Sequence, residues 1–434
     1  MLRRVNEMLE RVKGAAPKPQ QKVQLIRTHL IPRLLCSFTN SNPTAGTAAS
    51  ADRMIRQAVK TLLLVPLSTI SDSFFYLPMK EVGLGLQSLS EGVDFGMLNL
   101  YRRLSGRSDL AVRAAAELWF YQCRRSRLAL KRDVVELTER GIAQPKAATL
   151  EHHRSLFAAT YQGSGHREFA EACSNLWIDG DRMTGRSYIA SIKARTSLVP
   201  TRLQTFRGRA ETGDPRVLCL RCGHISGSPE SLSHISQTCS FTHGLIVRRH
   251  DVVVKKLASA AEESGFAITV EPTLRHDGLT YKPDLIAVKG GKVWALDVAI
   301  PFESSDALAR RHAEKCRKYQ PLADLVRTIT GAKEYGTGSI VIGARGAWCS
   351  RNDDTLRAMG WQISEKTKAL LCVMTLERTN QLISWFMRST DAVAFRGRML
   401  HRGHESQVQP STDRAQPSPR ARRREISCGA AHST

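Results

Sequence analysis

The sequence has few acidic residues for its length, no long apolar run and no regular pairing of cysteines. Its 434 residues include 40 Asp or Glu against 64 Lys or Arg, which gives a formal net charge of +24. Seven of its 10 cysteines stand singly, which excludes a secreted disulfide framework and indicates reduced thiols. No segment resembles a transmembrane span or a secretory signal, so the basic excess predicts a nucleic-acid partner and no membrane.

The N-terminal region shows apolar residues at helical spacing. They predict an interrupted helix over residues 1–30 and an amphipathic helix over 51–64. On the second helix, Arg53, Arg56 and Lys60 lie on one face, at spacings of three and four. That face predicts either contact with a phosphate backbone or an ordinary solvated helix face.

A compact group of cysteines and a histidine predicts a zinc site. Its pattern, C-x2-C-x11-H-x4-C, is formed by Cys219, Cys222, His234 and Cys239. Two thiolates from one tight turn and two further ligands complete a tetrahedral site that is closed to water, as in structural zinc sites. His224 and His243 are alternative ligands. The module either positions nucleic acid or serves as a structural staple.

From residue 245 to 343 the pattern alternates between helix and strand. We expect helices over 245–264 and 306–330, and strands over 266–271, 284–288, 293–300 and 339–343. This order of one helix, three strands, one helix and one strand is typical of restriction-type nucleases.

The most informative segment is a predicted hairpin whose strands are joined by Gly290-Gly291. With this two-residue loop, the numbers of paired residues sum to 581, so Asp284 lies opposite Asp297. Opposed side chains have Cβ atoms about 4.5–5.5 Å apart, close enough for both carboxylates to hold one magnesium ion. Magnesium there can polarise a phosphodiester and activate water for attack. The alternative is an exposed hairpin with solvated charges.

The following helix contains residues that suit such a carboxylate pair. Lys315, Lys318 and Tyr319 lie at positions i, i+3 and i+4, and therefore on one face. A lysine near the carboxylates would stabilise the charge that develops on the phosphate. Glu271, on the strand before the hairpin, is either a further acid or a surface residue.

The motifs combine into a longer pattern: Cys219-x2-Cys222, His234, Cys239, Arg249-His250-Asp251, Lys282-Pro283-Asp284, Asp297 and Lys315-x2-Lys318-Tyr319. Upstream stand Lys18-Pro19, His29-Leu30-Ile31-Pro32 and Gly83-Leu84-Gly85-Leu86. Together they resemble the C-terminal part of the Pol proteins of non-LTR, LINE-like retrotransposable elements. The resemblance is to elements with a restriction-like endonuclease, in particular the site-specific clade that inserts into ribosomal RNA genes.

This resemblance implies a multidomain chain of the α + α/β class. Its expected parts are a reverse-transcriptase thumb-like helical region (1–100), a helical linker (101–205), a CCHC zinc knuckle (206–245), a restriction-endonuclease-like α/β domain (246–400) and a basic, disordered tail (401–434).

The resemblance also implies target-primed reverse transcription. The endonuclease would nick double-stranded DNA, expected to be a ribosomal RNA gene, and a polymerase would extend the new 3′ end on the element's RNA. Asp284 and Asp297 would bind catalytic magnesium, with Lys315 or Lys318 as the catalytic lysine and Tyr319 beside it. The CCHC residues would bind structural zinc, and nucleic acid would be contacted by Arg53, Arg56, Lys60, Arg249 and His250. The family's usual lysine position, two residues after the second acid, is occupied by Ala299.

The sequence departs from a complete reverse transcriptase at the palm. Its one Asp-Asp pair, Asp353-Asp354, follows Arg351-Asn352 near the C-terminus and lacks the aromatic context of a palm turn. We therefore expect a fragment of a longer polypeptide whose reverse-transcriptase domain lies upstream, without primer extension of its own. Nuclear action is implied by the family. The alternative function is a catalytically silent, zinc-containing segment that binds DNA or RNA.

Overall fold

The computed structural model describes residues 1–41, 43–68, 70–126 and 143–405. The chain divides into two compact units, Met1–Met387 and Arg388–Thr434. None of the described helices combines the length and the apolar content that crossing a membrane requires. Of the predicted tail, the first five residues continue the last helix and the remainder lies outside the described residues.

The N-terminal part is helical. Its helices are α1 (Leu2–Gly14), α2 (Pro19–Leu25), α3 (Ile31–Ser41), α4 (Ala45–Leu62), α5 (Ser73–Tyr76), α6 (Leu89–Ser105), α7 (Leu110–Ser126), α8 (Ala143–Ala158), α9 (Gly185–Arg195) and α10 (Arg202–Thr205). A π-helical segment, Ile26–Leu30, joins α2 to α3. Helix α4 begins earlier than predicted because the Thr44 hydroxyl caps it, accepting a hydrogen bond from the Thr47 N–H at 3.2 Å.

One apolar core holds these helices together, with Phe38 and Phe74 fully buried. The carboxylate of Asp52 is also buried in this region. It accepts hydrogen bonds from the N–H groups of Leu89 at 2.6 Å and Ser90 at 2.9 Å. These amides belong to the first turn of α6 and have no partner within the helix, so Asp52 fixes the start of α6 against α4.

The C-terminal part combines helices with a sheet. Its elements are α11 (Gly223–Ser226), α12 (Leu232–Gln237), α13 (His243–Glu263), β1 (Ala267–Val270), β2 (Leu274–His276), β3 (Leu279–Tyr281), β4 (Leu285–Lys289), β5 (Lys292–Ala299), α14 (Ala307–Lys318), α15 (Ala323–Thr330), β6 (Glu334–Val341), α16 (Arg351–Met359) and α17 (Glu365–Glu405). The main sheet has the order β1-β4-β5-β6, and only β6 pairs in parallel.

Two features of this region differ from the sequence prediction. The β2–β3 hairpin was not predicted. The single helix expected over 306–330 is wrong, because a 3-10 turn over Gln320–Leu322 separates α14 from α15. Pro321 in that turn has no N–H to continue the α-helical hydrogen bonds.

The predicted register of the β4–β5 hairpin is confirmed, since Lys289 pairs with Lys292 on either side of the turn. The turn residues Gly290 and Gly291 have φ values of +58° and +76°. Residues with a side chain rarely adopt this conformation, and it matches the twist that a two-residue hairpin loop needs. The glycines therefore fix which residues face each other along both strands.

A buried ion pair joins the sheet to the helical region. Glu303, which follows β5, lies 3.1 Å from the Arg345 guanidinium, and both side chains are at most 1% exposed. The Arg345 carbonyl accepts a hydrogen bond from Arg195 of α9. The Arg195 guanidinium in turn lies 3.9 Å from the centre of the Phe169 ring. Charged groups this deeply buried are stable only when each has partners, so the network constrains all of its segments.

Candidate active site and metal centre

Two carboxylates lie side by side at one end of the β4–β5 hairpin. Asp284 immediately precedes β4, and Asp297 is a buried residue of β5. The Asp284 Oδ2 accepts a hydrogen bond from the Val298 N–H at 2.6 Å. On the other side of β5, the Ser339 hydroxyl donates to the Asp297 carbonyl at 2.9 Å. The sheet itself therefore fixes both acids.

His250, from α13, faces Asp284. Its Nε2 lies 3.3 Å from Asp284 Oδ2 and 3.2 Å from the Val298 carbonyl oxygen. Burial disfavours the charged imidazole, but the hydrogen bond and charge of Asp284 outweigh it and raise the pKa of His250 to about 9. Burial also opposes ionisation of Asp284, yet the contact with His250 outweighs it and lowers the pKa of that carboxyl. Near neutral pH the two groups form an ion pair.

Asp297 is contacted by two residues at the end of α14. The Lys315 ammonium forms an ion pair with Oδ2, and the Tyr319 hydroxyl donates a hydrogen bond to Oδ1 at 2.8 Å. Lys318 lies 3.1 Å from the Tyr319 hydroxyl. Burial, reinforced by the charge of Asp284, raises the pKa of Asp297. Lys315 thus touches a carboxylate directly, whereas Lys318 contacts Tyr319.

An open groove of about 960 Å³ borders this cluster. It is lined by residues of α12 and α14 and by the segment 298–302, which continues from β5. His250 and Lys315 reach it from the carboxylate side. Its further basic residues are Arg310, Arg311 and Arg317, of which Arg311 is paired with Glu314 at 2.7 Å. These arginines were not predicted as site residues, although they stand beside the predicted lysines on the same helix.

The four predicted zinc ligands come together in one buried group, with all of their ligand atoms within 4.8 Å of one another. The Cys219–Cys239 and Cys222–Cys239 sulfur separations are 3.9 and 3.7 Å, and Cys222 Sγ lies 3.1 Å from His234 Nε2. A disulfide would need about 2.05 Å. Thiolates bound to zinc at about 2.3 Å in a tetrahedron lie about 3.8 Å apart, so the group fits a zinc ion.

The surroundings of this group also suit a metal. The Nδ1 of His234 lies 3.1 Å from the Thr238 hydroxyl, which leaves Nε2 directed at the sulfurs. Burial lowers the pKa of His234, which favours the neutral imidazole that a metal requires. His224 and His243, the alternative ligands, are not part of the group.

Four of the five residues that were predicted to contact nucleic acid also make contacts within the fold. Lys60 is buried, and its ammonium donates to the Leu67 carbonyl at 2.9 Å. Arg56 is only partly exposed and pairs with Asp72 at 3.1 Å. Arg249 is 2% exposed and donates to Thr379 and to the Ser236 carbonyl. These three side chains make structural contacts within the fold, and His250, which lines the groove, pairs with Asp284. Only Arg53 keeps an exposed position.

The side chains of Ala299 and Glu271 play no part in the cluster. Ala299, two residues after Asp297, is buried in the sheet and has no functional group to offer. Glu271 is exposed, and its N–H donates to the Asp284 carbonyl at 2.9 Å. Its backbone therefore helps to place Asp284.

No protein-family model matches the chain. Individual proteins do match it over most of its length. A "Retrovirus-related Pol polyprotein from type-1 retrotransposable element R2" from Popillia japonica is 29% identical over 361 residues, 80% of this chain and 71% of that protein. A second protein of that name from the same species is 28% identical over 395 residues, 89% of this chain and 52% of that protein.

A third relative comes from Drosophila melanogaster. The "Retrovirus-related Pol polyprotein from type-2 retrotransposable element R2DM" is 28% identical over 362 residues, which make up 82% of this chain and 33% of that protein. The chain thus spans between a third and about seven-tenths of the length of these relatives. The matches confirm the predicted resemblance to retrotransposon Pol proteins, and the relatives of this chain are the Pol polyproteins of R2 elements.

Proposed function

We propose that this chain contains a magnesium-dependent endonuclease centre that nicks double-stranded DNA for target-primed reverse transcription. One observation carries the proposal: Asp284, Asp297, Lys315 and Tyr319, which come from two strands and a helix, converge at one end of the β4–β5 hairpin beside a basic groove. Two carboxylates, a lysine and a path for a phosphate backbone are the parts that hydrolysis of a phosphodiester requires.

The carboxylate pair fits a hard divalent cation. Asp284 and Asp297 provide oxygen ligands, which magnesium prefers. The buried Oδ2 of Asp297 is paired with the Lys315 ammonium. A buried carboxylate needs a positive charge beside it, and a bound cation would supply that charge when Lys315 turns to the phosphate. When bound, magnesium would supply Lewis-acid activation of the phosphodiester and of the attacking water.

The surrounding residues have separate tasks in this proposal. His250 and the Val298 N–H hold Asp284 in one orientation, and the Tyr319 hydroxyl does the same for Asp297. Lys315 lies where it can exchange its contact with Asp297 for the charge that develops on a phosphate. The arginines of the groove would hold the DNA backbone in register with the site.

The zinc centre has a structural task. All four ligand positions are filled by the chain, so the metal keeps no open site for a substrate. Helix α12, which contributes His234, also lines the groove through Ser233 and Gln237. Zinc would therefore fix one wall of the groove relative to α14. We propose nuclear DNA as the target, a ribosomal RNA gene in particular, and element RNA as a further partner; both proposals rest on the resemblance to Pol proteins of site-specific retrotransposable elements.

The test is nicking of supercoiled plasmid, with and without a ribosomal RNA gene insert, in magnesium. Asp284→Asn and Asp297→Asn each keep the side-chain shape and remove one charge, and both are expected to abolish nicking. Asp277→Asn is the matched control, because Asp277 lies in the β2–β3 turn with φ +48°, which asparagine tolerates. Nicking that survives in both site variants would refute the proposal. DNA binding with zinc present but no nicking by the parent chain would favour the silent binding segment.

A further inference from the structure

Beside the zinc centre, two aromatic rings and an arginine form a layered stack. The Phe241 and Trp385 rings lie with centroids 4.3 Å apart and an interplanar angle of 18°. The Arg221 guanidinium lies 4.0 Å from the centre of the Phe241 ring. Trp385, on α17, is 38% exposed, although it is among the most apolar and costly side chains to leave in water. Phe241 is only partly exposed.

Two layers of the stack are positioned by the metal ligands. Arg221 stands between Cys219 and Cys222, in the tight turn that supplies two of the sulfurs. Phe241 follows Cys239 by two residues. Because the four ligands hold both segments, the stack is fixed before any ligand arrives. A preformed aromatic surface costs little ordering entropy when it binds.

We propose that Trp385 is the stacking platform for an unpaired nucleobase of a single-stranded nucleic acid, whose backbone is attracted by the basic surface of the chain. The sequence carries a formal net charge of +24, which attracts a polyanionic strand to the chain. Every base presents a π-face, and an aromatic ring with a cation in the same stack is the arrangement with which proteins hold single strands without reading sequence. This site adds single-strand binding to the proposed nicking of duplex DNA and does not depend on it.

Removing the Trp385 ring is expected to lower the affinity for a single strand through lost stacking, without changing the charge of the chain. Binding of fluorescent 12-nucleotide DNA and RNA strands is measured by anisotropy over a salt series, without magnesium so that cleavage plays no part. Trp385→Ala is expected to weaken binding about 5- to 150-fold, the range for one stacked base. The slope of log affinity against log salt is expected to stay the same, since no cation is removed. Trp385→Tyr should retain most of the affinity. Leu370→Ala, at another exposed apolar position of α17, should bind like the parent chain.

An abasic strand separates stacking from a structural effect. A strand without bases should bind the parent chain more weakly than the intact strand, and this difference should be smaller in Trp385→Ala. The DNA and RNA arms show which strand is preferred. Equal binding by Trp385→Ala with normal zinc content would overturn the proposal. A loss of binding in Trp385→Ala that is equally large for intact and abasic strands would also overturn it. So would a change in self-association instead of strand binding, which would indicate a protein contact at this surface.

Discussion

The buried Glu303–Arg345 pair provides a prediction whose size follows from its environment. The Glu303 carboxylate accepts hydrogen bonds from the Arg345 N–H at 2.8 Å, the Arg345 Nε at 3.1 Å and the Ala347 N–H at 3.3 Å. Glu303→Gln keeps the shape but removes the charge, and it can turn an amide N–H₂ towards the guanidinium. Removing one partner of a buried ion pair costs about 3–5 kcal/mol, because the other charge remains buried without compensation. The free energy of unfolding should fall by that amount.

The effect can be measured by thermal unfolding followed by circular dichroism. At about 2.1 cal/mol/K per residue, cooperative unfolding of the Met1–Met387 unit has an entropy of about 0.8 kcal/mol/K. The expected decrease in Tm is therefore about 4–6 °C. Glu10→Gln is the control, since Glu10 pairs with Lys13 at the surface, where such pairs contribute about 0–1 kcal/mol. Equal Tm values for Glu303→Gln and Glu10→Gln would refute the reasoning.

Three further predictions concern other parts of the fold. Cys239→Ala removes one predicted zinc ligand and is expected to abolish stoichiometric zinc binding in metal analysis. Cys36→Ala, at an exposed thiol, should still bind zinc, and an unchanged zinc content in both variants would contradict the site. Glu81→Gln should lower stability by about 0.5–1 kcal/mol at pH 7, because Glu81 pairs with Arg154 at 2.7 Å and the hydrogen bond from that guanidinium lowers its pKa. This contribution is present above the unfolded pKa of about 4.3 and is lost as the pH falls through the lowered folded pKa. The free energies of unfolding of Glu81→Gln and the parent chain, measured in urea, should therefore converge in acid, and a difference that stays constant with pH would disprove the assignment. Asp52→Ala leaves the first amides of α6 without acceptors and should lower the free energy of unfolding in urea by about 1–3 kcal/mol. An unchanged free energy of unfolding would show that these hydrogen bonds do not stabilise the start of α6.

Local chemistry explains what could be predicted from the sequence. Gly290-Gly291 forms a two-residue loop, and such a loop sets the pairing of every residue along both strands. The opposed positions of Asp284 and Asp297 therefore follow from residue numbers alone. The candidate zinc ligands could equally be predicted from the sequence, because their spacing within 21 residues is dictated by a tight turn and one turn of helix.

Long-range contacts explain what could not be predicted from the sequence. Lys60 lies on a regular helical row of basic residues, and only the fold shows that it is buried beside Asp72. Arg249 bonds to Thr379, which is 130 residues away in the sequence. Periodicity reports which residues share a face, but it does not report what covers that face. The interruption of the helix after Lys318 is an exception, because Pro321 is a local sequence signal for a helix end.

The parallel pairing of β5 with β6 affects the order in which the candidate site can assemble. The hairpin that brings the two acids together closes through two residues, whereas parallel strands require a long crossover, here formed by α14 and α15. Closing the longer loop costs more chain entropy and is intrinsically slower. Lys315 is part of that crossover. During folding, the like charges of the hairpin would thus meet before their counterion arrives, which makes assembly of the candidate site a late event that coincides with completion of the sheet.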